Sequence, residues 1–200
     1  MVEVEIRTCM ESTEECINKI EQSGFKKEKV INQHDIMLDT PDAQLFREGN
    51  KIRIRIEDDK AELTYKGNIN NYKDVSKREE INIKINKEEV NNYIKVFSSI
   101  GYPLCFQIKK EREVYTKDNI TITIDRWPII GYLIEIEGEE SKIKEVAKQM
   151  APEKEFGNLR LKDLFKAKMD KENKTIEELK KEYYNETNFD LGKIELILKD

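Results

Sequence analysis

Residues 51–67 read KIRIRIEDDKAELTYKG. Ile52, Ile54 and Ile56 alternate with Lys51, Arg53, Arg55 and Glu57. After the turn EDDK at 57–60, Leu63 and Tyr65 alternate with Glu62, Thr64 and Lys66. Side chains two apart on a strand share a face. The stretch therefore predicts an antiparallel hairpin whose strands each carry one apolar face and one face of charges.

The same alternation recurs along the chain. At the N-terminus, MVEVEIR sets Glu3, Glu5 and Arg7 against Val2, Val4 and Ile6. Arg78, Glu80, Asn82 and Lys84 oppose Ile81, Ile83 and Ile85. Thr121, Thr123 and Asp125 oppose Ile120, Ile122 and Ile124, and Glu135 and Glu137 oppose Ile134 and Ile136. One strand breaks the pattern: Lys110 and Arg112 share phase with Phe106 and Ile108. Strands are predicted at 2–8, 29–39, 51–57, 61–66, 77–85, 104–116, 120–126 and 131–138, joined by short gaps that imply antiparallel pairing.

Helices interrupt them. Capping-box spacing at Ser12/Glu15, Asn86/Glu89 and Thr175/Glu178 opens three, with Gly24 and Gly101 as stop signals for the first two. Ser141 precedes Ile143, Val146, Ala147 and Met150 on one face, and 159–169 reads as helical. The segment KENKTIEELKKEYYNE at 171–186 is most simply a charged surface helix, with a lid or dimer contact as the other reading. The closing run 193–198 is expected to be a strand. The pattern predicts an α+β protein: an eight-stranded antiparallel closed β-barrel with flanking helices. Residues 1–169 are expected to form one domain, and 170–200 a charged helical extension of it.

Composition narrows the function. The 200 residues can bury about 70% of their unfolded surface. A net charge of −5 disfavours a nucleic-acid coating protein without excluding a local basic pocket. The three cysteines, Cys9, Cys16 and Cys105, form no CxxC and suggest neither a disulfide framework nor a zinc site. They read as core-filling thiols. No run approaches the roughly 20 apolar residues of a membrane span, and no apolar signal region opens the chain. A reduced, cytoplasmic protein is expected, with no membrane partner.

Taken singly, each two-faced strand is explained by a sandwich with its polar faces in water. Together the strands favour another arrangement. The polar residues are strongly Arg and Glu, and the apolar faces suit packing under amphipathic helices from outside. The charges then point into the barrel, where they must hold something that pairs with both signs. A divalent cation bridging a polyphosphate does so: carboxylates take the hard cation, and Arg and Lys take the phosphate oxygens.

Glu3-x-Glu5-x-Arg7 resembles the ExExK signature of the CYTH proteins, or triphosphate tunnel metalloenzymes. LDTPDAQL at 38–45, KIRIRIEDDKAELTYKG at 51–67, KREE at 77–80, IKKEREVY at 108–115 and ITITIDRWPIIGYLIEIEG at 120–138 are similar to the family's further blocks in the same order. The likeness covers about residues 1–150 and is nearest to the class IV adenylyl cyclase-like branch. It implies an eight-stranded tunnel that binds a triphosphate, ATP or a similar small molecule, with Mg²⁺ or Mn²⁺. Glu3, Glu5, Asp125, Glu135 and Glu137 fall on its metal positions. Arg53, Arg55, Lys66, Lys110 and Arg112 fall on its phosphate positions, with Arg78 beside Glu80 as a mixed pair. Glu3, Glu5, Arg7 and Lys66 are the catalytic expectation. Arg7 departs from the signature lysine: arginine keeps its charge but serves as no base. IMLD at 36–39 departs where the family commonly has an aromatic residue, and the tail after about 170 has no recognised counterpart.

The first expected function is an adenylyl cyclase releasing cyclic AMP and pyrophosphate. The alternative is a triphosphatase acting on inorganic triphosphate, thiamine triphosphate or a nucleoside triphosphate. A non-catalytic nucleotide or polyphosphate binder and an RNA 5′-triphosphatase come behind, the last disfavoured by the acidic charge. His34, beside Asp35, reads as structural before it reads as a base. Trp127, before Pro128, reads as hairpin packing before it reads as a stacking platform for a nucleobase at the tunnel mouth.

Overall fold

The computed structural model describes residues 2–10, 12–67, 70–72 and 75–198, with the backbone alone for 2, 3, 70–72 and 75–78. In chain order the elements are β1 (Val2–Met10), α1 (Glu14–Gln22), β2 (Lys26–Leu38), α2 (Gln44–Arg47), β3 (Lys51–Glu57), β4 (Lys60–Lys66), β5 (Asn70–Tyr72) and β6 (Val75–Asn86). There follow α3 (Val90–Ser99), β7 (Leu104–Lys117), β8 (Ile120–Trp127), β9 (Gly131–Glu137), α4 (Glu140–Met150), α5 (Leu161–Glu172) and α6 (Ile176–Thr187).

Eight strands pair antiparallel in the order β1-β9-β8-β7-β2-β3-β4-β6, and the short β5 adds to β6. The two ends of this sheet meet. β1 pairs with β6 from Val2↔Glu79 to Glu5↔Ser76, and with β9 from Glu5↔Glu137 to Met10↔Tyr132. The two ladders share only Glu5, so β1 gives its first half to one neighbour and its second half to the other. Beyond that point the edge of β1 is taken by a strap: Arg7 and Gly157 exchange backbone hydrogen bonds of 2.8 and 2.9 Å. The hairpin turns hold Asp58 and Asp118 at φ 51, a left-handed backbone that Asp tolerates.

The apolar faces lie outward; helices cover much of them, while Ile81 and Ile83 of β6 stay about half exposed. Ile122, Ile124, Ile134 and Ile136 pack with Cys16 and Ile20 of α1 and Ile143, Ala147 and Met150 of α4. Ile36, Ile54 and Ala61 pack beneath Val90, Tyr93 and Phe97 of α3. Period-2 isoleucines on the sheet thus meet period-3.6 apolar stripes on the helices, which fixes the register of both.

The tail is woven into the fold. Gly192 bridges Phe106: the Gln107 N–H donates to the Leu191 carbonyl and the Lys193 N–H to the Cys105 carbonyl. A Cβ on Gly192 would lie 2.7 Å from the Cys105 oxygen, so only glycine permits this approach. Leu179, Tyr183, Leu191, Ile194 and Ile197 are buried against Phe106, Ile108 and Phe165. The Tyr183 hydroxyl accepts from the Lys109 N–H at 2.6 Å. The expectation of a surface helix at 171–186 therefore holds for one face only, since the other is core. The strand expected at 193–198 is instead a 3₁₀ turn, Ile194–Leu198. A short apolar run does not reveal its own period, and here Ile194 and Ile197, three apart, share the buried face.

Thr175 caps α6 as its spacing foretold, accepting from the Glu178 N–H. Ser12 does not cap α1; Thr13 occupies the N-cap position without a side-chain bond. Leu179→Ala is expected to cost about 2–5 kcal/mol, read as a lowered midpoint in chemical denaturation. A cost below about 0.5 kcal/mol, the range of an ordinary surface change, would show the tail to be dispensable to the core.

Candidate active site

The inward faces of the sheet enclose a cavity of about 260 Å³. Its charged wall comes from strands that are neighbours in the sheet. Glu5 and Arg7 stand on β1, Glu135 and Glu137 on β9, Arg112 and Lys110 on β7, Arg53 and Arg55 on β3, and Lys66 on β4. The ladders set them level: Glu5 faces Glu137, Arg7 faces Glu135 and Arg112 faces Asp125.

Six of these groups form one continuous chain of ion pairs with alternating sign. Arg7 Nη2 lies 2.8 Å from Glu5 Oε1, and Arg7 Nε 2.7 Å from Glu135 Oε1. Glu135 Oε2 accepts from Arg112 Nη2 at 2.6 Å. Arg112 forks onto both oxygens of Asp125, and Lys110 also donates to Asp125. Asp125 is wholly buried, and Glu5 and Lys110 nearly so. Two shorter pairs stand beside the chain. Arg55 grips Asp35 with bonds of 2.6 and 2.7 Å, and Lys66 Nζ lies 2.7 Å from Glu80 Oε2.

The network sets the protonation states. Burial alone would raise the carboxyls of Asp35, Asp125 and Glu135. Arg55 outweighs it at Asp35, Lys110 and Arg112 at Asp125, and Arg7 and Arg112 at Glu135, so all three lie below the usual carboxylate range. Burial, with Arg112 beside it, pushes Lys110 down to about 8. Burial and neighbouring Arg55 lower Arg53. Arg53 donates to Thr64 Oγ1 at 3.3 Å, but its buried Nε has no hydrogen-bond partner.

The structure brings together Glu5, Arg7, Arg53, Arg55, Lys66, Lys110, Arg112, Asp125, Glu135 and Glu137. Glu3 and Arg78 are backbone partners across β1 and β6; their side chains lie outside the described residues. Of the five carboxylates expected to hold a metal, Glu5, Asp125, Glu135 and Glu137 stand on β1, β8 and β9, and the Glu3 side chain lies outside the described residues. Among the described residues no three His, Cys, Asp or Glu side chains converge as ion ligands, and both oxygens of Asp125 are taken by cations. The oxygen donors of Glu5, Glu135 and Glu137 fit a hard divalent ion by chemistry, and they line one cavity. Trp127 lines it too, with Lys110 Nζ 4.9 Å from its ring centroid. His34 lies elsewhere, bonded to Gln107 and edge-on to Phe189, as a structural histidine would be.

Asp39 was not singled out as a site residue, yet it shapes the cavity. Its carboxylate accepts from the N–H groups of Thr40, Leu45 and Phe46, opening α2 and presenting Phe46 to the cavity. The signal was local: an Asp followed by Thr-Pro-Asp is a cap-and-turn sequence.

Among the described residues no helix is long and apolar enough to cross a membrane. A candidate adenylate cyclase of Methanocaldococcus jannaschii is 33% identical over 146 residues, 72% of this chain and 81% of that protein. The solved PH1819 protein of Pyrococcus horikoshii superposes with a TM-score of 0.64 at 25% identity, over 83% of this chain and 99% of that one. An adenylyl cyclase candidate from Hippeastrum, described as having a dominant triphosphatase activity, superposes at 0.63 with 20% identity, over 82% of this chain and 95% of that one. The CYTH domain model matches residues 1–163. The chain belongs to the CYTH family.

Proposed function

We propose that the sheet forms a closed tunnel and that the protein is a divalent-metal-dependent enzyme acting on a triphosphate inside it. Closure is supported by the β1–β6 pairing and by the Arg7–Gly157 strap that continues the seam. The observation that carries the function is the ion-pair chain Glu5–Arg7–Glu135–Arg112–Asp125–Lys110. A buried chain of alternating charges is neutral alone and is disrupted by either ion alone. Both signs would be satisfied by a polyphosphate with its cation: Arg7, Arg53, Lys66, Lys110 and Arg112 would hold phosphate oxygens, and the carboxylates now paired with them would be free to hold the cation. Mg²⁺ or Mn²⁺ would be held by Glu5, Glu135 and Glu137 with Glu3. Asp125 orients Lys110 and Arg112. Glu5 and Glu137 face each other on adjacent strands, a like-charge pairing that a cation relieves. When bound, the ion supplies charge neutralisation at the reacting phosphorus and leaving group.

The reading supported first is an adenylyl cyclase, consistent with the name of the Methanocaldococcus relative. The ribose 3′-oxygen of ATP bonds to the α-phosphorus, the bond to the β-phosphate oxygen breaks, pyrophosphate leaves and the hydroxyl proton goes to solvent. The Arg and Lys side chains hold the chain in line and take up developing charge. The second reading is a triphosphatase with water as nucleophile. It is favoured by the charged wall itself, in which every described group addresses phosphate or cation and none is committed to a ribose. Residues 170–200 belong to the same unit on this reading, and the protein works in the cytoplasm.

Product analysis separates the two. With Mg²⁺ or Mn²⁺, ATP should yield cyclic AMP and pyrophosphate if the cyclase reading holds; inorganic phosphate without cyclic product would replace it with the triphosphatase. Glu137→Gln should lower turnover by about 100-fold or more with an unchanged circular-dichroism spectrum, and full activity in that variant would refute the metal assignment. Arg53→Ala should weaken triphosphate binding by roughly tenfold to a hundredfold, measured by calorimetry. The surface change Lys142→Ala should leave it unaltered, and equal effects would contradict the tunnel.

A further inference from the structure

A second cavity, of about 690 Å³, is larger than the charged one and lies across β2 and β7, between the β3–β4 turn and the C-terminal end of α6. That volume is within the roughly 300–1,000 Å³ of small-molecule sites. Gln33 of β2 forms its base and is 3% exposed. The register sets Gln33 between Glu57 of β3 and Lys110 of β7. Its Nε2 donates to Glu57, and its Oε1 is buried without a hydrogen-bond partner. A buried amide oxygen in that state costs free energy, which a donor on a ligand would remove.

Exposed carboxylates stand around this acceptor: Asp58 in the turn, Glu111 on β7 and Glu186 on α6. None of their side chains has an ion pair or hydrogen bond among the described residues. The end of α6 adds the negative pole of a 12-residue helix. The neighbouring cations are mostly committed. Lys110 is held by Asp125, and Lys109 Nζ lies 3.9 Å from the Phe189 ring centroid. Burial lowers His34, which is bonded to Gln107, so it is neutral at pH 7. Arg126 is left as an exposed cation. We infer that this cavity binds a linear aliphatic polyamine, with one ammonium on the Gln33 carbonyl and the others on the separated carboxylates. A metal ion needs converging ligands, and among the described residues no three His, Cys, Asp or Glu side chains converge. A chain of ammonium groups instead takes acceptors that stand apart, and its methylene stems can lie along Ile56 and Pro128. The inference stands apart from the triphosphate reading.

The test is calorimetric titration of the full chain with spermidine, without nucleotide and at constant ionic strength. Spermidine should bind saturably at one site, at least about threefold tighter than the shorter diamine putrescine. Gln33→Met should weaken it by about fivefold or more. The double surface change Glu111→Gln with Glu186→Gln should weaken it by about fivefold or more, and it keeps the test open if Gln33→Met folds poorly. Glu137→Gln, inside the barrel, should leave spermidine affinity within about twofold. Absence of saturable binding overturns the site. So does displacement of spermidine by Mg²⁺ at equal charge concentration, which would mark screening of an acidic protein. Loss of binding in Glu137→Gln with none in the double surface variant also overturns it, because the amine would then sit among the interior carboxylates.

Discussion

Everything in this fold follows from turning charged strand faces inward. A buried Asp125 with no counterion would be a severe penalty; with Lys110 and Arg112 on it, and Glu135 and Arg7 beyond, the charge is satisfied by neighbours. The backbone ladders hold those neighbours level. The outward isoleucines of β2, β3, β8 and β9 can then be buried under α1, α3 and α4, and the sheet has an apolar exterior and a charged interior, the reverse of an ordinary sandwich.

That inversion has a cost which also explains the site. Interior ion pairs contribute less to stability than apolar packing of the same volume. Groups held in such a network are pre-aimed: the Arg112 fork is fixed on Asp125 and the Arg7 guanidinium spans two glutamates. A ligand carrying both signs meets cations and anions already ordered, so little side-chain entropy is lost on binding.

Much of the site was legible because it is written in period 2. Arg53, Arg55 and Lys66 were readable from one hairpin, and Glu135 and Glu137 from another. Strand ends were less so: β2 begins at Lys26 rather than near 29, because its first residues are exposed lysines that show no alternation. Long-range closures left no local trace. Nothing in the residues near Gly157 or Gly192 announces a bridge to Arg7 or Phe106, since both depend on strand edges far away in sequence. The tail's apolar positions were visible, but their partners were not, and a helix with one face in the core reads much like one on a surface. Glu5, Glu135 and Glu137 were legible as inward carboxylates, whereas the capture of Asp125 by two cations required the cross-strand register.

The central claim is that polyphosphate and divalent cation enter together, exchanging partners with the interior ion pairs. The most direct measurement is the thermal unfolding midpoint with inorganic triphosphate alone, Mg²⁺ alone, and both, at constant ionic strength. The two together should raise the midpoint by more than the sum of their separate effects, because each supplies partners for the groups that the other draws out of the ion-pair chain. Additive shifts, or no shift with the pair, would contradict the exchange and with it the reading of the cavity as a metal-triphosphate site.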